Sequence, residues 1–372
     1  MRRQLLDDPT RMPREGARLS GRLILSIESS CDETGIAVIE DGRTILGNVV
    51  ASQIELHAPA GGIVPEVAAR AHLRYIVPVL DAVWSDAGAT WDDIGAVAVT
   101  YGPGLAGSLL VGVNFAKALA WVHEKPLVAV NHLEGHVYAA WLHDPAAPDR
   151  ADPVFPLVAL VVSGGHTFLA EMRDHLTYRL LGATIDDAAG EAFDKVGRLL
   201  GLGYPGGPAI GRAAEIATAH DRVFPRAWLG DSSDFSFSGL KTAARRVIIE
   251  ARADAGLTTE PDVPLPAGLV AELAWGFQEA VVDVLAIKTM RAARACGARS
   301  IVLGGGVAAN TALRARLAAE ADAIGLPLIV PRPALCTDNG AMIGAAGARR
   351  FAAGERAGLD LDARPSLPLA AR

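Results

Sequence analysis

The same order of strand and helix patterns occurs twice along the chain, and this repeat limits the possible folds more than any other feature. In each half the order is β-β-β-α-β-α-β-α. The first half begins with the apolar run LILSIESS at 23–30, and the second begins with PLVALVVS at 156–163. Because such a unit covers its own sheet with its own helices, the repeat predicts an α/β fold whose two similar halves face each other across a ligand-binding cleft.

The repeat also predicts the domain boundaries. Residues 1–21 are polar and contain two prolines, so we expect a mobile N-terminal extension. We assign residues 22–150 to the N-terminal half and residues 151–372 to the C-terminal half. Residues 201–265 contain several glycines and prolines and no long periodic pattern, which predicts an insertion of loops and short helices.

Composition and charge exclude several classes of protein. The chain has 372 residues, of which 51% are hydrophobic and 21% are charged, so it is not a disordered protein. Its formal net charge of −7 argues against indiscriminate nucleic-acid binding, although a local basic patch remains compatible with it. The three cysteines, Cys31, Cys296 and Cys336, are too far apart for a disulfide framework, which indicates a reducing compartment.

Nothing in the sequence indicates a membrane protein. The most apolar stretch, residues 104–122, contains an asparagine and a lysine, so we expect a buried helix rather than a membrane span. The N-terminal residues have no apolar core of the kind found in signal peptides. We therefore expect a soluble, cytoplasmic protein.

Three glycine-rich turns indicate that the backbone approaches a ligand closely. SGGHT at 163–167 lies inside the second hairpin, GYPGGP at 203–208 opens the insertion, and LGGGVAAN at 303–310 leads from a strand into a helix. Glycine lets backbone amides surround a phosphate, and a helix N-terminus adds a positive dipole end. A single such turn can be explained by the geometry of the turn alone. Three of them favour the explanation that the protein binds a nucleotide-bearing ligand.

A fourth glycine-rich segment is misleading. GPGLAG at 102–107 matches the G-x-G-x-x-G pattern of dinucleotide sites. That pattern requires an acidic residue at the end of the next strand, whereas the next strand, 126–130, is followed by Asn131 and His132. We therefore exclude a nicotinamide cofactor, and the lack of a GxxxxGK[ST] segment excludes a P-loop.

The segment NHLEGH at 131–136 predicts a metal site. His132 and His136 are four residues apart and therefore lie on one face of a helix that Asn131 can cap. Two such imidazoles can bind one ion, and Asp338, just before the last helix, is the candidate third ligand. This set leaves coordination positions open for substrate and fits iron, zinc, manganese or magnesium. The alternatives are a surface histidine pair and a capping or turn-forming role for Asp338.

The same segment argues against a zinc peptidase. In an HExxH peptidase the catalytic glutamate directly follows the first histidine. Here Leu133 occupies that position and the acidic residue is Glu134, one position later. One position is about 100° around a helix, so this carboxylate is predicted to lie away from the metal face.

Acidic residues supply further candidates. Asp32 and Glu33, in the turn between the first two strands, are candidates for orienting a nucleophile or acting as a general base, and the alternative is a solvated turn. Because these acids disfavour a thiolate, we expect Cys31 to be a packed, unreactive thiol. Asp194, one helical turn after Gly190, is a candidate for binding ribose hydroxyls, and the alternative is a helix-surface charge.

Taken together, these segments resemble the tRNA N6-adenosine threonylcarbamoyltransferase family, formerly called glycoproteases. The similarity covers about residues 23–353, and the motifs that carry it, in the family's order, are ESSCDETG, GGIVPEVAAR, GPGLAGSLLVG, NHLEGH, VVSGGHT, IDDAAGEAFDK, GYPGGP, FSFSGLKT, GGGVAAN and CTDNGAMIG. The resemblance implies two ribonuclease-H-like halves, as in actin-like ATPases and sugar kinases. It also implies transfer of the threonylcarbamoyl group from threonylcarbamoyl-AMP to the N6 amine of the adenosine next to the anticodon (A37), in tRNAs reading codons that begin with A, with release of AMP.

The resemblance further implies roles for individual residues. His132, His136 and Asp338 would bind one divalent ion, for which iron is expected and zinc or magnesium are alternatives. The residues implied to contact the nucleotide-bearing substrate are Val161, Val162, Ser163, Gly164, Gly165, Asp194, Gly207 and Asn310. Archaeal and eukaryotic relatives have a tyrosine ligand at the position of Val161, so this chain resembles the bacterial branch. Asp32 and Glu33 are our own candidates for positioning the attacking amine.

The resemblance also predicts partners, and other functions have to be weighed against it. The family implies tRNA, a catalytically silent paralogue and a small ATPase as partners. The alternatives are an ATP-dependent small-molecule kinase of the same fold, a metallopeptidase and a non-catalytic scaffold. A kinase needs no histidine pair, and the silent paralogue is expected to lack one. Whether FSFSGLKT at 235–242 is a lid or an RNA contact stays open.

Overall fold

The structure is a computed structural model, and it describes residues 23–145, 150–256 and 264–369. The predicted extension, residues 1–21, lies outside the described residues, and so does the part of the predicted insertion at 257–263.

The chain divides into two compact units. Of the described residues, the first comprises those from Leu23 to Asp152 together with the C-terminal segment from Thr337, and the second comprises those between Pro153 and Cys336. The sequence predicts that everything after residue 150 belongs to the second half, so the structure differs from this prediction in the C-terminal segment. The physical reason is the packing of the last helix on the first sheet, described below.

Ten strands occur in the described residues, five in each unit. In chain order they are β1 (Leu23–Glu28), β2 (Glu33–Glu40), β3 (Thr44–Ser52), β4 (Ile94–Gly102), β5 (Leu127–Asn131), β6 (Leu157–Val162), β7 (Thr167–Asp174), β8 (Thr177–Ala183), β9 (Ser300–Gly304) and β10 (Leu328–Ile329). The sheets have the orders β3-β2-β1-β4-β5 and β10-β9-β6-β7-β8, which is one order counted from opposite edges. In both, the first strand pairs antiparallel with the second and parallel with the fourth. The predicted duplication is confirmed.

Eleven α-helices accompany these strands in the described part of the chain. They are α1 (Ile54–His57), α2 (Pro65–Ala87), α3 (Ala106–Val122), α4 (His132–Tyr138), α5 (Ala189–Leu199), α6 (Gly206–Glu215), α7 (Ser238–Asp254), α8 (Ala267–Cys296), α9 (Thr311–Asp322), α10 (Pro333–Cys336) and α11 (Gly340–Ala352). Among the described residues, no helix combines the length and the apolar character that a membrane crossing requires.

The insertion contains more regular structure than the sequence predicts. Helix α7 has 17 residues, where only short helices were expected. Its buried apolar residues are Leu240, Ala244, Ile248 and Ala251, about one for each turn. A helix packed on a core usually carries an apolar stripe at least 100° wide. The apolar stripe of α7 is narrower and half of it is alanine, so the helical periodicity is hard to detect in the sequence.

The two faces of the first sheet explain where the C-terminal segment packs. Leu25 and Ile27 of β1 belong to the apolar cluster that includes residues of α2 and α3. Ser26, between them, points to the other face and donates a hydrogen bond of 2.7 Å to the carbonyl oxygen of Gly340 in α11. A Cβ atom on Gly340 would lie 2.5 Å from backbone atoms of Ile36 and Ala37, so a glycine allows this close contact.

Replacing Gly340 with alanine should therefore destabilise the first unit. Because the neighbouring atoms are backbone, Gly340→Ala is expected to lower the free energy of unfolding by about 1–3 kcal/mol. Gly268→Ala, in the first turn of α8 where a Cβ atom meets open space, is the matched control and should cause no loss. Urea denaturation measures both variants. Equal denaturation midpoints for the two would contradict this packing.

Candidate functional site

The histidine pair lies on α4, directly after β5. Asn131 caps this helix as predicted, because its Oδ1 accepts a hydrogen bond of 2.9 Å from the Leu133 amide. The rings of His132 and His136 have centroids 4.7 Å apart, and both residues are buried. The alternative of a surface histidine pair is therefore wrong.

Asp338 completes the group from a distant part of the sequence. Its Oδ1 atom lies 3.2 Å from Nε2 of His136 and 3.6 Å from Nε2 of His132. Candidate ligand atoms of these three residues all lie within 4.8 Å of one another. The cap of α11 is Asn339, whose Oδ1 accepts from the Met342 amide at 3.0 Å, so Asp338 is not the capping residue. We call these three residues the His–His–Asp cluster.

The cluster has the properties of a metal site. Neither ring nitrogen of His136 makes a hydrogen bond within the described residues, because the 3.2 Å approach of Asp338 to Nε2 does not have hydrogen-bond geometry, and the side chain is fully buried. A buried polar nitrogen without a partner costs free energy, and an ion bound to it removes that cost. Two imidazole nitrogens and one carboxylate oxygen are a donor set that suits a divalent transition metal. The residues present therefore fit the predicted ion.

Glu28, at the end of β1, is a site residue that the sequence analysis missed. It is fully buried, and its Oε2 lies 3.1 Å from Nδ1 of His132. Thr100 donates to the same oxygen at 2.6 Å, and the Ser30 amide donates to Oε1 at 2.5 Å. The available signal was a carboxylate inside the otherwise apolar strand LILSIE.

The charges of the site shift the pKa values of its members. Burial by itself lowers the pKa of His132, but the negative charges of Asp338 and Glu28 raise it to about 9. Burial by itself raises the pKa of Glu28, but the charge and hydrogen bond of His132 lower it below its usual value. The metal-free cluster is therefore an environment that favours a positive charge.

The acidic turn, residues 29–34, lies in the same unit. Asp32 is buried and Glu33 is half-buried, so the alternative of a solvated turn is wrong. Burial, the negative charges of Asp32 and Asp338, and a hydrogen bond with Asp32 raise the pKa of Glu33 well above its usual range. The surroundings of Glu33 therefore favour its protonated form, and Glu33 shares a hydrogen bond with Asp32.

The thiol and the imidazole beside this turn have structural roles. Burial, followed by the charges of Asp32 and Asp338, raises the pKa of Cys31 well above its usual range, which agrees with the predicted unreactive thiol. His72 donates from Nε2 to the Cys31 carbonyl at 3.0 Å and accepts at Nδ1 from the Thr34 hydroxyl at 2.7 Å. One neutral imidazole thus holds the chain on both sides of the acidic pair.

In the second unit, two of the three predicted glycine turns lie at the ends of the adjacent strands β6 and β9, and the third, at 203–208, leads from α5 into α6. Val161 and Val162 are buried in β6, and Ser163 follows them. A Cβ atom on Gly164 or Gly165 would meet open space, so their backbone is accessible to a ligand. Gly305, with a φ of +85°, packs against the Val162 carbonyl, a contact that requires a glycine.

The remaining predicted substrate residues of the second unit lie at a helix start or contact one. Asp194 accepts a hydrogen bond of 2.7 Å from the Gly206 amide at the start of α6, beside Gly207. Asn310 caps α9 by accepting from the Leu313 amide at 2.9 Å, and its Nδ2 donates to Gln278 at 2.8 Å. Their contact with substrate stays a prediction.

Contacts in the first unit bear on two functions that the sequence argues against, namely nicotinamide binding and zinc-peptidase activity. The GPGLAG turn holds the C-terminal segment, since the Gly104 amide donates to the Pro365 carbonyl at 3.1 Å and Arg364 donates to the Tyr101 carbonyl at 2.7 Å. A zinc peptidase would need a glutamate directed at the metal, whereas Glu134 accepts a hydrogen bond of 2.6 Å from Arg350. Both observations argue against these two functions.

Comparison with known proteins gives consistent matches. The sequence profile of the family described as tRNA N6-adenosine threonylcarbamoyltransferase matches residues 44–345. A curated relative of that name from Thermomicrobium roseum is 54% identical over 94% of this chain and 98% of its own length. Another, from Symbiobacterium thermophilum, is 51% identical over 94% of this chain and 98% of its own length.

A solved structure supports the fold. The crystal structure of full-length HypF, in a phosphate- and nucleotide-bound form, superposes with a TM-score of 0.56 at 12% identity. The match covers 90% of this chain and 47% of that one. At this identity the likeness concerns the fold alone, and it agrees with the duplicated ribonuclease-H-like, actin-like architecture.

Metal binding at the cluster should release a proton. In the metal-free protein the pKa of His132 is about 9, so its imidazole is protonated at neutral pH, whereas a metal binds the neutral form. The apparent affinity for Zn²⁺ should rise with pH until about pH 9 and level off above it. Calorimetry in buffers of different ionisation enthalpy should count about one proton released per ion at pH 7. A proton count that does not change with pH would contradict this assignment.

Proposed function

The chain belongs to the tRNA N6-adenosine threonylcarbamoyltransferase family, and from that premise we propose that it transfers the threonylcarbamoyl group from threonylcarbamoyl-AMP to the N6 amine of A37 in tRNAs reading codons that begin with A. AMP is the leaving group. The observation that carries the proposal is the convergence of two buried imidazoles and a carboxylate in the His–His–Asp cluster, in a chain that matches the family over residues 44–345.

The reaction needs positioning more than it needs a strong base. The N6 nitrogen attacks the carbonyl carbon, the bond from that carbon to the phosphate oxygen breaks, and AMP departs with the electron pair while the amine passes one proton to Asp32. A divalent ion held by the cluster, for which we propose iron, supplies a Lewis acid that polarises substrate oxygens. Because an adenylate is already a good leaving group, orientation of the amine is the main task left to side chains.

We assign that orientation to the acidic turn. Glu33, whose pKa is raised well above its usual range, shares a hydrogen bond with Asp32. We assign to Asp32 the acceptance of an N–H hydrogen bond from the incoming amine, and then of the proton that this amine loses. His72 and the Gln53 amide, which donates to the Asp32 carbonyl at 3.0 Å, keep the turn in place. Asp32 and Glu33 thus have different roles.

The glycine turns of the second unit supply the proposed nucleotide contacts. Gly164 and Gly165 present backbone without a side chain, next to Ser163. Such backbone amides suit a phosphate. We also assign Val161, Val162, Asp194, Gly207 and Asn310 to this set, as the family pattern implies.

The proposal includes partners and a compartment. With a formal net charge of −7, the chain as a whole repels tRNA phosphates, which favours dependence on other proteins for docking. We propose that a catalytically silent paralogue and a small ATPase are those partners, and that the complex acts in the cytoplasm. A kinase of the same fold is the second candidate, but nothing in phosphoryl transfer requires the two buried imidazoles.

Removal of one ligand tests the proposal. In a reaction reconstituted with tRNA, threonylcarbamoyl-AMP and the partners, His136→Ala should reduce modified adenosine to background, because the ion loses a ligand. Nucleoside analysis measures the product, and metal analysis measures the ion. His220→Ala, at an exposed histidine of the second unit, should retain full activity. Full modification by His136→Ala without bound metal would refute the proposal, and phosphorylation of a small substrate would support the kinase.

Replacing Asp32 distinguishes the contribution of the acidic turn to the reaction rate from that of the metal. Asp32→Asn should lower the rate of modification by about 10²–10⁴-fold while the metal content stays at the wild-type level. Glu55→Gln, at an exposed position in α1, is the control and should leave the rate unchanged. A wild-type rate for Asp32→Asn would remove Asp32 from the mechanism, and loss of the ion would make its role structural.

A further inference from the structure

We propose that Glu28 is a positioning residue that makes His132 bind the ion through Nε2 and that ties the acidic turn to this ligand. The inference rests on the proposed function only in one respect, namely that the His–His–Asp cluster binds a divalent ion. It concerns a buried carboxylate that is not itself one of the clustered ligands.

Three donors converge on the two oxygens of Glu28. The Ser30 amide donates to Oε1 at 2.5 Å, and the Thr100 hydroxyl donates to Oε2 at 2.6 Å. Nδ1 of His132 lies 3.1 Å from the same Oε2. An ionised carboxylate only accepts hydrogen bonds, so each of these partners has to present a hydrogen.

This arrangement determines which nitrogen of His132 faces the ion. Since Glu28 only accepts, Nδ1 of His132 carries the hydrogen, and the neutral ring has its lone pair on Nε2. Nε2 is the atom that lies 3.6 Å from Oδ1 of Asp338. The Ser30 hydroxyl also lies 3.1 Å from Nδ1, but a hydroxyl can donate or accept, so it does not select the tautomer. A carboxylate behind a ligating histidine holds the ring in one orientation and raises its basicity.

The same carboxylate holds the start of the acidic turn. The Ser30 amide is bound to Glu28, and the Ser30 carbonyl accepts from the Leu105 amide at 2.8 Å. His72 holds the other end of the turn through Cys31 and Thr34. Glu28 therefore links the start of the acidic turn to the metal ligand His132, in addition to the direct contact of the Ser30 hydroxyl with Nδ1.

Stability alone does not account for Glu28. A fully buried carboxylate pays a large desolvation cost, and apolar side chains of similar volume often replace buried charged groups without loss of stability. Strand β1 is otherwise apolar except for its serine, so a leucine at this position would match its surroundings. The orientation of His132 gives the carboxylate a role that an apolar residue does not supply.

The first test measures zinc affinity. Glu28→Gln keeps the shape but offers one oxygen and one NH₂ group, so at least one of the three donors meets another donor. Titration with Zn²⁺ against a chelator should show a 10–100-fold weaker affinity, the range typical of such supporting residues. Glu171→Gln is the matched control, because Glu171 is also a buried glutamate but is paired with Arg173 and Arg179. Its zinc affinity should equal that of the wild type.

The second test does not depend on the folding of a variant. In the zinc-loaded wild-type protein with ¹⁵N-labelled histidine, NMR should show His132 with a proton on Nδ1 and the ion on Nε2. A zinc ion on Nδ1, or a wild-type zinc affinity for folded Glu28→Gln, would overturn the inference.

These readouts are separate from tRNA modification. Zinc bound as described without any tRNA modification would contradict the proposed function alone, and a wild-type protein that binds no ion would contradict both.

Discussion

The approach of one carboxylate to two buried imidazoles is the constraint on which the rest of the site depends. Asp338 Oδ1 lies 3.2 Å and 3.6 Å from the Nε2 atoms of a histidine pair that lies far from it in sequence. Small residues at the helix contact make this possible, since a Cβ on Gly135 would lie 2.7 Å from Cδ1 of Ile343. The ion pair between the buried Glu134 and the half-buried Arg350 joins the same two helices. The residues between the two histidines of NHLEGH therefore position α4 against α11.

The electrostatics of the first unit follow from the same packing. Glu28 and Asp338 raise the pKa of His132 to about 9, and Asp32 and Asp338 contribute to the raised pKa of Glu33. A bound divalent ion offsets the negative charge of these carboxylates. Metal binding at the cluster and the electrostatics of the acidic turn are therefore linked.

Much of this could be predicted from the sequence, for identifiable reasons. Apolar runs and helical periodicity gave the duplicated order of strands, and the four-residue spacing of His132 and His136 gave their shared helix face. Asp338 could be selected because it follows the last strand. Glu28 was missed because its role depends on the parallel pairing of β1 with β4, which brings Thr100 beside it. The C-terminal segment was assigned to the wrong half because repeat order does not show which sheet a final helix covers, and α7 was missed because its buried stripe is too narrow.

The location of the ion tests the central claim most directly. Crystals of the zinc-loaded protein, measured at the zinc absorption edge, should show one anomalous peak at about 2.0–2.2 Å from Nε2 of His132, Nε2 of His136 and a carboxylate oxygen of Asp338. A peak at other residues, or a cluster that stays without an ion at saturating zinc, would contradict the account.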